Sequence, residues 1–255
     1  MELNSQNYYN PETNEEYWSA SLVKMFLECP SRAVSYIYGE YNPGTSAALL
    51  VGGYVDAAIE GEEAFTKWCG RHPEIFKRDG SLKADYVKAD EMLDRISSDP
   101  VFMEYLEGEK QTIVTGNIGG FKFKGKLDVL KPGERIVDLK TVRDLKPVYK
   151  PGQGRLDFAT AWNWPLQMAI YQRLEGHRLP CYLAVVTKED PPQLELVEVE
   201  QARMDAEIDF LLSKLPLWDA MKAGIVEPDR CEDCAHCRAT KKITGPKLLG
   251  VYEEE

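Results

Sequence analysis

The stretch that decides the fold is Gly125-Lys126-Leu127-Asp128-Val129-Leu130, then Lys131-Pro132-Gly133-Glu134, then Arg135-Ile136-Val137-Asp138-Leu139-Lys140-Thr141. Pro132-Gly133 marks a turn, and the residues on either side read as two strands. A strand sends successive side chains to opposite faces. Asp138 and Lys140 therefore share one face, and Val137 and Leu139 take the other, towards a core. Asp128 ends the neighbouring strand and comes alongside. Two carboxylates and one ammonium then occupy one small patch flanked by apolar strand.

That grouping suits phosphodiester hydrolysis. Asp128 and Asp138 are oxygen ligands of the kind Mg²⁺ (or Mn²⁺) prefers, and the Leu139 carbonyl offers another oxygen. A divalent ion there activates water and offsets phosphoryl charge, while Lys140 orients the water or neutralises charge. The alternative reading is a surface hairpin carrying an ordinary ion pair.

Working outward, 111–118 is a strand joined to 121–130 through the Gly119-Gly120 hairpin turn, and 135–141 is a third strand. Strands at 180–187 and 193–199 flank the Asp190-Pro191-Pro192 turn. Apolar spacing predicts helices at about 21–38, broken at Cys29-Pro30, and at 46–60, 61–72, 84–95, 159–174 and 201–222, with a short one from Pro100. Residues 1–18 read as an irregular lead-in and 142–157 as a loop. The order implies one α/β domain: a mainly helical front end (1–105), a core (106–222) and a basic tail (223–255).

Two further constellations sit on helices. Gln167 and Tyr171, four apart, share one face. So do Asp56 and Glu60, which follow Gly52-Gly53. A charge such as Asp56 in a run of small and apolar residues is costly unless partnered. It reads as a third metal ligand or as a solvent-facing residue. The two glycines permit close approach of another backbone or of DNA.

The ordered set Asp56, Asp128, Asp138-x-Lys140, Gln167-x-x-x-Tyr171 resembles the PD-(D/E)xK nuclease superfamily, in its RecB-like branch. It is similar to phage and prophage exonucleases related to exodeoxyribonuclease VIII (RecE) and lambda exonuclease. The segments Ser21–Pro30, Gly53–Asp56, Asp138–Thr141 and Gln167–Gln172 carry the resemblance, which runs on into Cys231–Lys241. It implies a restriction-endonuclease-like core, a central mixed sheet flanked by helices with a helical N-terminal segment. It implies metal ligation by Asp128 and Asp138, a catalytic Lys140, and Gln167 and Tyr171 beside the site. Many relatives carry histidine where this chain has Asp56. The implied activity is digestion of linear double-stranded DNA from an end, 5′ to 3′, by a ring-shaped homo-oligomer working with a single-strand annealing protein. Alternatives are a same-fold nuclease with single-stranded or endonucleolytic specificity, and a non-catalytic DNA-binding or assembly module.

Three of the six cysteines fall in the run Cys231-x-x-Cys234-x-x-Cys237, spacing that suits a metal site. The resemblance makes Cys29 the fourth ligand of a [4Fe–4S] cluster. Zn²⁺, with His236 as a substitute ligand, and three reduced metal-free thiols are the alternatives. Cys69 and Cys181 read as core thiols.

Composition bounds the rest. The chain of 255 residues holds 31 Lys and Arg against 42 Asp and Glu, a net charge of −11, which at first disfavours a nucleic-acid partner. The positive residues, however, concentrate locally. Lys122, Lys124 and Lys126 alternate on one hairpin face, Lys140, Arg143, Lys146, Lys150 and Arg155 follow the third strand, and Arg230, Arg238, Lys241, Lys242 and Lys247 mark the tail. Trp162 and Trp164 are expected mainly in the core. No apolar run approaches the ~18 residues of a membrane span. The polar N-terminus and the cysteine usage point to a reducing, cytoplasmic setting without a membrane partner.

Overall fold

The computed structural model describes residues 3–246, so Lys247 lies outside the described residues. The front end runs α1 (Pro11–Glu16), α2 (Ala20–Glu28), α3 (Pro30–Ile37), α4 (Ala47–Glu60), α5 (Glu62–Arg71), α6 (Ala84–Ser97) and α7 (Pro100–Tyr105). Then come β1 (Glu109–Ile118), β2 (Phe121–Lys131), β3 (Arg135–Val142), β4 (Val148–Lys150) and β5 (Gly154–Leu156). The chain continues through α8 (Phe158–Ala161), α9 (Trp164–Glu175), β6 (Cys181–Thr187), β7 (Leu194–Glu198), α10 (Gln201–Lys222) and α11 (Ala235–Ala239).

The helix starts follow from local chemistry. Ser19 and Ser46 accept the backbone N–H groups of Leu22 and Leu49, capping α2 and α4. Pro30 lacks an N–H and so opens α3 rather than continuing α2. The residues before Trp18 are more ordered than a lead-in. They form α1, and Trp18 is buried and bridges Phe123 of β2.

Five strands form one mixed sheet in the order β1-β2-β3-β6-β7. Only β3 and β6 pair in parallel, and α9 lies in the crossover that parallel pairing requires. Both faces are covered. Leu22, Phe26, Leu166, Ile170, Leu211 and Leu215 pack on one side with Ile136, Leu183 and Val185. Val51, Val55, Ala89 and Met92 pack on the other with Val137, Leu139 and Val186. The central strands alternate between two cores, which is the α/β arrangement the motifs implied. Gly125 lets α9 come close, because a Cβ there would meet Leu174 and Tyr171 at 3.1 Å each.

Two further expectations are corrected. The loop 142–157 contains a small hairpin, with Tyr149 of β4 opposite Arg155 of β5. The helix expected over 159–174 is two helices. Asn163 takes a left-handed conformation (φ 53°) between them, and Pro165 sits in the first turn of the second.

Candidate functional site

The β2–β3 ladder pairs Lys131 with Arg135, Leu130 with Ile136 and Val129 with Val137, and stops there. The next positions are Asp128 and Asp138. The strands part at these two residues, and the Leu139 N–H is donated to Asp128 Oδ2 at 3.0 Å. A carboxylate thus takes the place of a backbone acceptor. The other side of β2 is also disturbed. The β1–β2 ladder pairs Lys110 with Val129 and Thr112 with Leu127 but passes over Gln111, whose φ is 55°. The Gln111 Nε2 donates to Asp128 Oδ1 at 3.3 Å.

Asp138 is 1% exposed, which excludes the surface-hairpin reading. Its Oδ1 accepts from Gln167 Nε2 at 2.8 Å, and Oδ2 faces the Lys140 ammonium. The same Gln167 Nε2 reaches the Tyr171 hydroxyl at 3.1 Å, and Gln167 Oε1 accepts from Lys24 Nζ at 2.6 Å. Lys140 also lies 5.6 Å over the Trp164 ring. The four-residue spacing of Gln167 and Tyr171 on α9 therefore delivers both side chains to the carboxylate on β3.

The gap between the strands brings in Asp56 from the opposite face of the sheet. Asp56, Glu60, Lys110, Gln111, Asp128 and Leu139 border a cavity of about 10 Å³, close to the space that one water needs. Burial is the main cause that pushes the Asp56 carboxyl up to about 7; Asp138 adds to it and Lys140 opposes it. Burial also raises Asp128 well above the carboxylate range, helped by Asp138 and Asp56 and opposed by Lys140 and the Leu139 N–H. For Lys140, burial would lower the ammonium, but Asp138 and Asp128 outweigh it and the net shift is upward. Burial and the nearby Lys140 pull Lys24 down to about 7.

Three carboxylates crowd around one closely placed ammonium. Asp138 Oδ2 is buried and is met by the Lys140 ammonium. A hard divalent cation fits this all-oxygen donor set, since it would offset the excess negative charge that one ammonium leaves.

The cysteines form a second cluster. The Sγ atoms of Cys29, Cys231, Cys234 and Cys237 lie within 4.8 Å of one another, with Cys29–Cys237 at 3.5 Å and Cys231–Cys237 at 3.9 Å. Cys29 sits where α2 ends and α3 begins, and the Ser31 N–H donates to the Asp229 carbonyl at 2.9 Å, so tail and front end are stitched together there. Although burial raises it, Cys231 is drawn down to about 6, chiefly by backbone N–H donation from Cys234 and Asp233. His236 is not in this set. Its Nε2 lies 3.3 Å from Ser31 Oγ and 3.5 Å from Ser35 Oγ, and the four sulfurs converge without it. Cys181 is a buried core thiol and Cys69 a half-buried one against the second core.

Several basic residues do not form the expected strip. Lys124 is buried, donating to the Tyr8 carbonyl at 2.8 Å and to Thr13, and Lys122 pairs with Glu16 at 2.9 Å. The N-terminal residues consume both cations, and Lys126 alone of the three borders a wider cleft that opens beside Asp56 and Glu60. Trp164 is core, as expected, but Trp162 is exposed, with Lys150 4.1 Å over its ring. Gly53 makes room for Trp68, since a Cβ would meet its Nε1 at 3.0 Å, and Gly52 lies against Thr141. Sequence reading missed Lys24 and Gln111. A lysine on a helix and a glutamine in a strand carry no signal until folding brings them to Gln167 and Asp128.

Fold and site together define a PD-(D/E)xK-like nuclease domain. The family described as "PDDEXK-like domain of unknown function (DUF3799)" matches residues 19–240, and the chain belongs to it. The crystal structure of a Eubacterium rectale protein, described as a "putative exonuclease", superposes with a TM-score of 0.91 at 35% identity, covering 97% of each chain. The crystal structure of SSO0001 aligns with a TM-score of 0.28 at 15% identity, over 75% of this chain and 84% of that one. No curated protein matches the chain. Among the described residues no helix is long and apolar enough to cross a membrane.

Proposed function

We propose that the chain acts as one nuclease unit, a divalent-metal-dependent exodeoxyribonuclease of the type related to exodeoxyribonuclease VIII and lambda exonuclease, digesting linear double-stranded DNA 5′ to 3′. The observation that carries this reading is the buried Asp138, held by Gln167 and Lys140 beside Asp128 and Asp56. Asp56, Asp128 and Asp138 would hold Mg²⁺ or Mn²⁺. When bound, the ion supplies Lewis-acid stabilisation of phosphoryl charge and a more acidic water. Lys140 places a fixed positive charge beside the scissile phosphate. Gln167 fixes the Asp138 rotamer, and Lys24 and Tyr171 fix Gln167. A ring-shaped homo-oligomer, a single-strand annealing partner and a cytoplasmic setting belong to the same reading and rest on the family resemblance. Light scattering of the purified protein tests the oligomer.

The deciding experiment compares linear duplex, covalently closed circle and single strand, each end-labelled at 5′ or 3′, with Mg²⁺, Mn²⁺ or chelator. Metal-dependent loss of the linear duplex, with early release of the 5′ label, is expected. Cutting of the closed circle as fast as the linear form would replace the exonuclease reading with an endonuclease. No cutting with either metal overturns the nuclease reading.

The raised carboxyls add a pH signature. Because Asp56 titrates near 7 in the folded chain and near ~4 unfolded, the folded state holds an extra proton in that window. The sign is therefore a loss of metal-free stability as pH rises from roughly 4 through 7. Mg²⁺ competes with that proton, so it should raise the melting temperature more at pH 8 than at pH 6. Thermal melts with and without Mg²⁺ at both pH values check this, and an Mg²⁺ effect that shrinks with rising pH would refute it.

The four cysteines, we further infer, hold a structural Zn²⁺. Tetrahedral zinc with bonds of about 2.3 Å brings its sulfurs to roughly 3.8 Å from one another, close to the two spacings seen here. A [4Fe–4S] cluster has one iron per thiolate and needs wider sulfurs.

A further inference from the structure

A cleft of about 1030 Å³ opens beside the carboxylates, sharing Asp56 and Glu60 with the small cavity at Asp128. Its volume has room for one or two unpaired nucleotides, at the upper end of small-molecule sites. Tyr9 stands on its wall, 72% exposed, next to a Tyr8 that is 8% exposed. The backbone that presents Tyr9 is fixed. Lys124 Nζ and Thr13 Oγ1 both donate to the Tyr8 carbonyl, and Tyr8 packs edge-on against Tyr9 at 5.0 Å. Lys126 lies 5.4 Å over the Tyr9 ring, on β2 two residues before Asp128. Lys67 and Arg71, four apart on α5, and Trp68 between them in sequence also line the cleft.

Charge alone does not explain this cleft. Lys67, Arg71 and Lys126 are set against Asp56, Glu60, Glu62 and Glu63. A polyanion gains little from such a mixture without a second attraction. A rigid exposed ring next to a cation supplies one, because bases of every sequence stack on aromatic faces while cations take the phosphate.

Resting on the nuclease reading, we infer that the Tyr9 cleft is a subsite for an unpaired terminal nucleotide. Tyr9 stacks on the base next to the scissile phosphate, and Lys126 contacts the backbone. Tyr9 is thus a positioning residue for the reacting strand. It selects ends that carry a base and requires the last pair to open.

The test uses the full chain with Mg²⁺ and two linear duplexes, identical except that one lacks the base on the terminal nucleotide of the digested strand. The wild type should cut the normal end about tenfold faster than the base-free end. Tyr9→Ala should erase that ratio, and Tyr9→Phe should restore it. A merely structural role would lower both rates together and leave the ratio intact, and that result overturns the proposal. So does a wild type that cuts both ends equally. If the wild type cuts neither, the nuclease reading itself has failed. Should Tyr9→Ala not fold, Tyr9→Leu on the same two duplexes decides: a lost ratio supports stacking, and an intact ratio overturns it.

Discussion

Asp138→Asn should lower cleavage by on the order of 10³-fold, the size of effect seen when a preorganised charge-stabilising group is lost, while the protein melts within a few degrees of the wild type. The two halves of this expectation have one cause. Asp138, Asp128 and Asp56 crowd around Lys140, and burial already holds Asp56 and Asp128 above their ordinary titration range. Removing one charge relieves that repulsion, an asparagine Oδ1 can still accept from Gln167, and Asp128 and Asp56 still neutralise Lys140. Stability is therefore kept, whereas a ligand for the divalent ion is lost. The rise in melting temperature on adding Mg²⁺ should shrink in the same variant.

Lys140→Ala should cut as poorly but behave differently without metal. It leaves three carboxylates without their ammonium, so the apo protein should lose stability, and more at pH 8 than at pH 6. Kinetics on linear duplex paired with melts at the two pH values read all of these. Wild-type cleavage by both variants, each normally folded, would remove Asp138 and Lys140 from the chemistry.

The second large effect concerns the cysteines. Cys29→Ser or Cys237→Ser should drop bound zinc from about one per chain to near zero. Each should lower the melting temperature by at least roughly 6 °C, as a loss of ~3 kcal/mol would in a chain of this size. Both thiols are fully buried, and together they join the end of α2 to the tail. Lys24 lies on that helix and donates to Gln167, so cleavage should fall several-fold rather than vanish. Elemental analysis with melting curves checks the whole chain of effects. Four irons per chain with visible absorption would reassign the site to a cluster. Neither metal in the native protein would leave four reduced thiols.

Much of the site was legible because its parts lie on regular elements. Asp138 and Lys140 are two apart on a strand, and Gln167 and Tyr171 four apart on a helix, so period alone puts each pair on one face. The breaks at Pro30 and near Pro165 differ in legibility for the same kind of reason. Pro30 interrupts the helix itself, whereas the left-handed Asn163 before Pro165 depends on how α8 and α9 dock. Lys122 and Lys124 looked like a basic face by alternation. What cancelled them, Glu16 and the Tyr8 carbonyl, comes from more than a hundred residues away.

By itself the sequence determined the five strands of the main sheet, the carboxylate–lysine pair, the glutamine–tyrosine pair and the cysteine spacing, because each rests on contacts a few residues apart. Only the tertiary structure decided that Asp138 is buried, that β2 and β3 part at Asp128, and that Asp56 enters the gap from the other face. It also decided that Cys29 meets the tail and that Tyr9 overlooks the cleft. These are long-range encounters, set by how two cores close over one sheet, and local periodicity carries no record of them.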